Sequence, residues 1–447
     1  MNVRLVAAEA LTAARTADAW VGEVLERHIS DSGLSPQDRR LATQIVLGVV
    51  RRRATLDALV RPHVNRPFHE VQEPLVDLLR VGAYQLAFLT HVPRHAAVHE
   101  TVEATLPMAR GFVNAVLRRV SEAVTDEFVH APTADAVPLD GDRRFRKLAK
   151  PLLPDPATQP APYLAAAFSW PRWLADRWLE RHGFAECVRL GFWFNAPPPL
   201  WLRVNAKQLP REAYRLALAA AGIAADSGGH PQALTLPDPP PVRQLPGYDA
   251  GEFAVQDLAS MAVASAVAPQ PGWRVLDLCS APGGKTTHLA ELMGDRGEVV
   301  ACDVDPRRLD TVVTLCERLR LRCVSPHLVD KRDTVPPPGP YDAALVDAPC
   351  SNTGVLGRRP EARWRLHPTE FPDLIRLQTR LLVTAVEAVR PGGVVVYSTC
   401  SIEPDENRGV VQAVRQAFRD LRVEADHTSI PGRPADGGYW ARLRKPG

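Results

Sequence analysis

Apolar residues in the first 140 positions recur at the three- and four-residue spacing of amphipathic helices. Two such stripes are Leu41, Ile45, Val46 and Val49, and Leu75, Leu78, Leu79, Gly82, Leu86 and Leu89. Because this spacing aligns apolar side chains on one helix face, it predicts an all-α domain over residues 1–140. Residues 131–160 are polar, charged and interrupted by proline, a composition typical of a linker.

A middle segment, residues 161–240, combines a helical pattern with a strand pattern. The predicted strand is Leu200–Asn205, and the segment ends at the proline-rich stretch Pro237–Pro241. We therefore expect a small α+β domain here, which connects its larger neighbours.

From residue 241 onward, short apolar runs alternate with helical stripes. The predicted strands are Arg274–Leu278, Glu298–Cys302, Val324–Val329, Ala343–Val346, Val394–Ser398, Leu421–Ala425 and Tyr439–Leu443. This alternation is typical of a mostly parallel sheet with helices on both faces. The predicted fold class is therefore multidomain, with an all-α and a small α+β domain before an α/β, Rossmann-like domain over residues 241–447.

Length and composition restrict the class of protein. A chain of 447 residues corresponds to about three domains. No apolar run reaches the length of about 18 residues that a membrane-spanning helix needs, so no membrane contact is expected. Residues 1–20 lack the apolar core of a signal peptide, and we expect a cytoplasmic protein.

The cysteines and the charges narrow the class further. The seven cysteines are Cys187, Cys279, Cys302, Cys316, Cys323, Cys350 and Cys400. Their odd number, without a C-x-x-C pair or a Cys/His zinc spacing, argues against disulfides and against a bound metal. The net charge of +3 says little about nucleic acid. A local basic cluster, Arg358-Arg359 with Arg363-Trp364-Arg365, follows Cys350 and is a candidate either for phosphate contact or for a solvated face.

A glycine-rich loop follows the strand Arg274–Leu278 and precedes a helix predicted from Thr286. Its residues are Cys279, Ser280, Ala281, Pro282, Gly283, Gly284 and Lys285. Glycine lets the backbone approach a ligand closely, and the amides at a helix N-terminus favour a phosphate or a carboxylate. Cys279 stands where a Walker phosphate loop requires glycine, and the pattern G-x-G-x-x-G is absent, so neither phosphate motif is present.

Aspartates close the next two predicted strands. Asp303 lies 20 residues after Gly283, where a carboxylate can accept hydrogen bonds from both hydroxyls of a ribose. Asp330 holds the same position after the third strand and could line an adenine pocket. Each aspartate could also cap the helix that follows, a role that is compatible with ligand binding. The glycine loop and Asp303, without phosphate-binding features, favour S-adenosylmethionine as the cofactor.

Two cysteines each follow a predicted strand, Cys350 in Asp347-Ala348-Pro349-Cys350-Ser351 and Cys400 in Ser398-Thr399-Cys400-Ser401. Because parallel strands end at one edge of a sheet, we expect both cysteine loops and the glycine loop to converge. A lone cysteine after a strand is usually buried packing, but two at one edge indicate chemistry. The residues after Cys400 have the composition of a helix start, and a helix N-terminus would lower the pKa of its thiol.

Two thiols beside a methyl donor suit the methylation of cytosine at C5. One thiolate adds to C6 and makes C5 nucleophilic, and the other thiol can assist release after methyl transfer. Asp347 either pairs with the cytosine or faces the cofactor. The target base must be unstacked, so single-stranded or loop RNA is the expected substrate.

At these residues the chain resembles the bacterial ribosomal RNA cytosine-C5 methyltransferases of the Sun/RsmB type, over almost its whole length. The N-terminal part resembles a NusB-like RNA-binding domain. The motifs behind the resemblance are Leu79–Leu86, Phe112–Arg118, Leu202–Asn205, Gln256-Asp257, Cys279–Lys285, Asp347–Ser351 and Ser398–Ser401. The resemblance implies that Cys279–Lys285, Asp303, Asp330 and Asp347 bind S-adenosylmethionine.

The resemblance also implies roles for the two thiols, with Cys400 as the nucleophile and Cys350 as the residue that assists release. It implies small-subunit (16S) rRNA, naked or partly assembled, as the substrate and 5-methylcytosine as the product, and we expect a monomer. Two residues depart from the family pattern, because Asn352 and Lys331 stand where glycine is common. Both lie beside the site and affect the geometry of its loops.

Two other functions fit the same sequence. The first is cytosine-C5 methylation of transfer RNA, against which the NusB-like domain argues because transfer-RNA relatives generally lack it. The second is a non-catalytic RNA-binding assembly or antitermination factor with a retired methylase domain. The presence of Cys350, Cys400, Asp303 and the glycine loop together argues against a loss of catalysis.

Overall fold

The computed structural model describes residues 2–139, 143–332 and 334–447. The helices are α1 (Val3–Thr16), α2 (Val21–Asp31), α3 (Pro36–Arg51), α4 (Arg53–Val60), α5 (Glu73–Phe88), α6 (Arg94–Glu103), α7 (Arg110–Ala123), α8 (Pro160–Ala167), α9 (Arg172–Asn195), α10 (Arg211–Ala220), α11 (Leu258–Val267), α12 (Gly284–Leu292), α13 (Pro306–Leu319), α14 (Ala362–Arg365), α15 (Phe371–Ala388) and α16 (Arg408–Ala417). The strands are β1 (Val124–Val129), β2 (Ala136–Pro138), β3 (Phe145–Leu148), β4 (Leu200–Val204), β5 (Asp226–Ser227), β6 (Ala233–Leu236), β7 (Phe253–Val255), β8 (Arg274–Asp277), β9 (Glu298–Asp303), β10 (Val324–Leu328), β11 (Tyr341–Asp347), β12 (Val389–Thr399), β13 (Arg422–Ser429) and β14 (Gly438–Arg444).

The chain forms two compact units. The first contains the residues up to Pro198 together with Leu356–Arg365, and the second contains Pro199–Val355 and Leu366–Gly447. Within the described ranges, no helix combines the length and the apolar character that crossing a membrane requires.

The helices of the first unit follow the predicted apolar stripes. Helix α3 begins after Ser35, whose hydroxyl accepts a hydrogen bond from the Asp38 amide at 3.2 Å, and Pro36 fits the first helical position. Its buried face includes Ile45 and Val46. Helix α5 packs against α1, α3, α6 and α7, which explains why almost all of its turns are buried.

A three-stranded antiparallel sheet follows α7, in the order β1-β3-β2. It corrects the expectation of an all-α region up to residue 140, and it places two strands in the described part of the stretch 131–160 that was expected to be a linker. The central strand β3 pairs with both neighbours and buries Phe145 and Leu148. Strands this short contain too few residues to show a clear alternation of apolar and polar positions. They are stabilised by pairing with distant residues and not by the strand propensity of their own residues.

The second unit is built on a seven-stranded sheet in the order β10-β9-β8-β11-β12-β14-β13. The strands from β10 to β12 are parallel, and β14 pairs antiparallel with both β12 and β13. All seven predicted strands are present. The mostly parallel sheet is therefore confirmed.

Helices cover both faces of this sheet. Because successive strand residues point to opposite faces, Leu276 joins one apolar core and its neighbour Val275 joins the other. The first core packs against α15 and α16, and the second packs against α11, α12 and α13.

A smaller antiparallel sheet, in the order β5-β6-β4-β7, packs with α10 in the second unit. Its fourth strand, Phe253–Val255, lies beyond the predicted domain end at residue 240. Helices α8 and α9, which lie within the predicted middle domain 161–240, belong to the first unit. The compact units therefore divide this segment at Pro198, because α8 and α9 belong to the first unit, whereas α10 packs with the strands of the small sheet in the second.

Candidate active site

The register of the parallel strands aligns their ends at one edge of the large sheet. Asp277 of β8 lies opposite Leu345 of β11, and Asp347 of β11 lies opposite Ser398 of β12. Strand β8 pairs with β9 on one side and with β11 on the other, so the order of connection reverses there. In open α/β sheets, ligands bind in the crevice outside the carboxyl ends of the strands at such a reversal.

The glycine loop turns tightly between β8 and α12. The helix begins at Gly284, two residues before the predicted start at Thr286, and Gly283 precedes it with φ of 101°. A Cβ atom on Gly283 would lie 3.2 Å from the Cα atom of Val312 on α13. Glycine is therefore required both by the backbone conformation and by the close approach of α13.

The Lys285 ammonium group faces the neighbouring loop rather than solvent. Its Nζ atom lies 2.7 Å from Oδ2 of Asp347, and Oδ1 of Asp347 accepts a hydrogen bond from Ser398 at 2.8 Å. Burial alone would lower the pKa of Lys285, but Asp347 outweighs burial, and the pKa is raised. Lys285 therefore remains a cation at neutral pH.

Polar atoms around the loop fit a polar ligand. Oγ of Ser280 and Oδ1 of Asp277 are buried without a hydrogen-bond partner among the described residues. The other oxygen of Asp277 accepts a hydrogen bond from Thr286 at 2.7 Å, and burial raises the pKa of this carboxyl to about 7. Unpaired buried polar atoms next to a glycine-lined backbone are compatible with the hydroxyls and the charged amino-acid end of S-adenosylmethionine.

Asp303 is 3% exposed at the end of β9 and turns towards the glycine loop. Its carboxylate accepts hydrogen bonds from the amides of Ala281 at 3.3 Å and Asp305 at 3.1 Å. Asp305, and not Asp303, caps α13, because its side chain accepts a hydrogen bond from the Arg307 amide at 2.9 Å. The capping alternative for Asp303 is therefore wrong.

Asp330 is exposed just beyond β10 and accepts a hydrogen bond from the Arg332 amide at 2.7 Å. The next described helix is α14, so Asp330 caps no described helix. Lys331, one of the two departures from the family pattern, is exposed in the same turn.

The two cysteine loops meet at the same edge. The Sγ atoms of Cys350 and Cys400 are 3.2 Å apart, and both side chains are half-buried and reduced. The hydrogen bond with Cys400, together with burial, raises the pKa of the Cys350 thiol well above its ordinary value. Cys350 therefore keeps its proton at neutral pH and can donate it in a hydrogen bond to Cys400.

No helix begins directly after Cys400, which corrects the expectation from its flanking residues. Helix α16 starts eight residues later, at Arg408, and the described residues between them form turns and irregular backbone. A helix N-terminus therefore does not act on the Cys400 thiol. The cation of Lys285 does act on this thiol, because its charge interacts with Cys400.

Glu406, which was not predicted as a site residue from the sequence, links the two cysteine loops through hydrogen bonds. Its buried carboxylate accepts hydrogen bonds from the Ser351 amide at 2.9 Å, from Ser401 Oγ at 2.5 Å and from Gln378 Nε2 at 2.9 Å. Ser351 and Ser401 each follow one of the two cysteines. This repeated Cys-Ser pair is the sequence pattern that could have predicted Glu406, because two hydroxyl groups in neighbouring loops can donate hydrogen bonds to one carboxylate.

Comparison with known proteins adds independent evidence on identity. A family model described as 16S rRNA methyltransferase RsmB/F matches residues 264–434, a NusB family model matches residues 1–122, and a ferredoxin-like domain model of RsmF/B-like methyltransferases matches residues 170–243. The probable ribosomal RNA small subunit methyltransferase B of Synechocystis sp. is 34% identical over 424 residues, which cover 93% of this chain and 89% of that protein. This chain belongs to the 16S rRNA methyltransferase RsmB/F family. The ribosomal RNA small subunit methyltransferase B of Salmonella paratyphi A is 32% identical and covers 99% of both chains.

Solved structures agree with the fold of an RsmB/F-family protein. The crystal structure of PH0851 covers 100% of this chain and 99% of its own, with a TM-score of 0.78 and 22% identity. A methyltransferase homolog protein from Pyrococcus horikoshii covers 63% of this chain and 97% of its own, with a TM-score of 0.56 and 26% identity. The predicted fold class is confirmed: a helical NusB domain, a ferredoxin-like domain and a methyltransferase domain. The boundaries at 1–140, 161–240 and 241–447 stay predictions.

The basic cluster that follows Cys350 in this RsmB/F-family chain is partly internal. Arg363 is 1% exposed, and its guanidinium donates hydrogen bonds to the carbonyls of Phe168, at 3.2 Å, and Phe194, at 3.2 Å. Burial, with a smaller effect of nearby Arg51, lowers its pKa to about 9. The hypothesis of phosphate contact is therefore wrong for Arg363, which binds backbone within the first unit.

Proposed function

We propose that this protein methylates C5 of a cytosine in small-subunit rRNA, with S-adenosylmethionine as the methyl donor and Cys400 as a covalent nucleophile. The names of its relatives, ribosomal RNA small subunit methyltransferase B, support the coarser part of this proposal. The observation that supports the chemistry is the pair of thiols, with Cys350 Sγ 3.2 Å from Cys400 Sγ, at the sheet edge that holds the glycine loop.

The electrostatics favour Cys400 over Cys350 as the nucleophile. The pKa of the Cys350 thiol is raised, so this thiol stays protonated at neutral pH and can donate a hydrogen bond to Cys400. The cation of Lys285 also interacts with Cys400. A hydrogen-bond donor and a nearby cation both stabilise a thiolate, which is the reactive form of cysteine.

The proposed reaction starts when the Cys400 thiolate forms a bond to C6 of an unstacked cytosine. The ring electrons move to C5, which would form a bond to the methyl group of S-adenosylmethionine while the sulfur–methyl bond breaks and its electron pair stays on the donor sulfur, so that S-adenosylhomocysteine leaves. A base then removes the C5 proton, the C5=C6 double bond forms again, and the C6–S bond breaks with its electron pair returning to sulfur. The S–H group of Cys350 donates a hydrogen bond to the departing sulfur and so assists its release.

The residues that would hold the cofactor are the Cys279–Lys285 loop, Asp303, Asp330 and Asp347. S-adenosylmethionine, when bound, supplies an electrophilic methyl group. At Gly283, which has no side chain, the cofactor can come close to the backbone of the loop. The carboxylate of Asp303 can accept hydrogen bonds from the ribose hydroxyls of the cofactor. Asp347 is held by Lys285 and Ser398, so its orientation is fixed before any ligand binds.

A denaturing-gel assay with unmodified small-subunit rRNA and S-adenosylmethionine tests this function. Cys350→Ala should accumulate a covalent protein–RNA band, because the departing sulfur loses its hydrogen-bond donor. Cys400→Ala should form no band, because it lacks the attacking sulfur. The same rRNA, methylated with labelled cofactor by the unaltered protein, should yield 5-methylcytidine on digestion.

The matched control is Cys187→Ala, which removes a buried thiol of α9 in the first unit and should behave like the unaltered protein. The reverse band pattern would exchange the roles of the two cysteines. Label recovered in another base would refute methylation at C5, and methylation of transfer RNA without methylation of rRNA would refute the proposed substrate.

A further inference from the structure

Asn352 occupies the space between the two cysteine loops in a backbone conformation that few residues tolerate. Its φ angle is 59°, in the left-handed region that glycine, asparagine and aspartate adopt most readily. Its Nδ2 group donates a hydrogen bond to the carbonyl of Cys350 at 2.9 Å. Its Oδ1 atom lies 3.2 Å from Sγ of Cys400.

The hydrogen bond to Cys350 fixes the direction of the amide. Because a carbonyl can only accept, the nitrogen of the Asn352 side chain faces Cys350 and the oxygen faces Cys400. An amide oxygen accepts a hydrogen bond from a neutral thiol but repels a thiolate. The three groups therefore form one chain of donors, in which Cys350 donates to Cys400 and Cys400 donates to Asn352.

We propose that Asn352 is a positioning residue for Cys400, which holds its thiol protonated and in a fixed orientation until substrate is bound. Cys350 favours the thiolate of Cys400, and Asn352 favours the thiol. The balance between these two hydrogen bonds restrains the nucleophile from reacting with other electrophiles. This inference uses the proposed function only to name Cys400 as the nucleophile.

Other groups that act on Cys400 stay in place when Asn352 is changed. They are the cation of Lys285, the carboxylate of Asp347 that binds Lys285, and the carboxylate of Glu406 that joins the two loops, while the thiol of Cys350 is absent from every variant compared. A difference between Asn352 variants therefore reports the amide alone.

The test compares Asn352→Gly and Asn352→Asp in a Cys350→Ala background, so that a single thiol of the pair titrates. Both replacements tolerate a positive φ, so neither strains the loop. Alkylation by iodoacetamide is measured from pH 6 to 10 by mass spectrometry. The tryptic peptide of Cys400 extends from Leu381 to Arg408, because a proline follows Arg390.

The glycine variant loses the acceptor of the S–H group. Its alkylation midpoint should move lower by about 0.5–1 pH unit, which is about three- to tenfold more thiolate at neutral pH. The aspartate variant places a negative charge at the same position, and its midpoint should move higher. If Asn352 had a purely structural role, its replacement would change the rate of Cys400 alkylation at every pH but would not shift the midpoint in this order.

Equal midpoints for the glycine and aspartate variants would overturn the proposal, and so would a glycine midpoint at or above that of the asparagine parent. Thermal unfolding confirms that each variant is folded before alkylation. The experiment uses neither RNA nor S-adenosylmethionine, so its outcome is independent of the adduct assay. If no covalent band forms in the adduct assay but the alkylation midpoints of the variants follow the expected order, the proposed reaction is refuted and the role of Asn352 is supported.

Discussion

Asp277 is 1% exposed at the end of β8, and burial raises the pKa of its carboxyl to about 7. An aspartate in an unfolded chain ionises at about pH 3.9. At a pH between about 3.9 and about 7, Asp277 therefore keeps its proton in the folded protein but loses it in the unfolded chain. The stability that Asp277 contributes is therefore fully present below about pH 4 and is lost as the pH rises towards 7.

Asp277→Asn should remove this pH dependence, because the amide stays neutral and its oxygen still accepts the hydrogen bond from Thr286. At pH 8 the variant should have the larger free energy of unfolding, by up to about 4 kcal/mol, and the difference should vanish towards pH 4. Urea denaturation at both pH values measures it. The exposed Asp310 on α13 provides the control, since Asp310→Asn should change stability equally at both. A pH-independent difference for Asp277→Asn would contradict the prediction.

At the scale of elements, one buried ion pair joins β4 of the small sheet to α12. Nη2 of Arg203 lies 2.7 Å from Oε1 of Glu291, and both side chains are almost completely buried. Nη1 of Arg203 also donates to the carbonyl of Gly284 at 2.7 Å. The pair therefore holds the first residue of α12, which is part of the glycine loop.

Arg203→Met should lower the free energy of unfolding by about 3–5 kcal/mol, because the buried carboxylate of Glu291 loses its ion-pair partner and keeps only the hydrogen bond from Gln232. Urea denaturation followed by fluorescence measures the loss. Adding Glu291→Leu should recover part of it, since no buried charge then remains. Arg215→Met, which breaks the exposed pair with Glu212 on α10, should leave stability nearly unchanged. Equal losses for Arg203→Met and Arg215→Met would show that burial does not decide the strength of the pair.

At the scale of the whole molecule, the chain leaves the second unit after Val355, contributes Leu356–Arg365 to the first unit and then returns. Arg363 holds this segment through backbone carbonyls, including that of Arg51 at 3.1 Å. The Nε1 group of Trp364 donates to the carbonyl of Val50 at 3.3 Å. These hydrogen bonds lie within the first unit, and the segment they hold follows the Cys350 loop in the chain.

Arg363→Met should loosen the segment, because methionine cannot donate and the buried carbonyls lose their partner. Hydrogen–deuterium exchange on the full chain should show amides of Leu356–Arg365 exchanging at least about tenfold faster, with no change in the seven-stranded sheet. Arg359→Met replaces an exposed arginine of the same segment and should have little effect. If both variants exchange alike, Arg363 does not hold the segment.

Local periodicity explains what could be read from the sequence. The stripe of Ile45, Val46 and Val49 lies on the buried face of α3, and the short apolar runs from residue 274 onward are the strands of the large sheet. Because parallel strands end at one edge, the convergence of the glycine loop with the two cysteine loops also followed from the strand pattern, whereas the contact between Lys285 and Asp347 did not.

The sequence by itself determined the periodic elements, the fold class and the residue types at the strand ends, because helix and strand periods are recorded in neighbouring residues. The tertiary structure alone decided the sheet of β1, β2 and β3, the transfer of Leu356–Arg365 to the first unit and the burial of Arg363. It also decided that the amide of Asn352 meets Cys400 and that Glu406 joins the cysteine loops. Each of these depends on residues far apart in the chain, and no local pattern encodes which distant groups become neighbours when the chain folds.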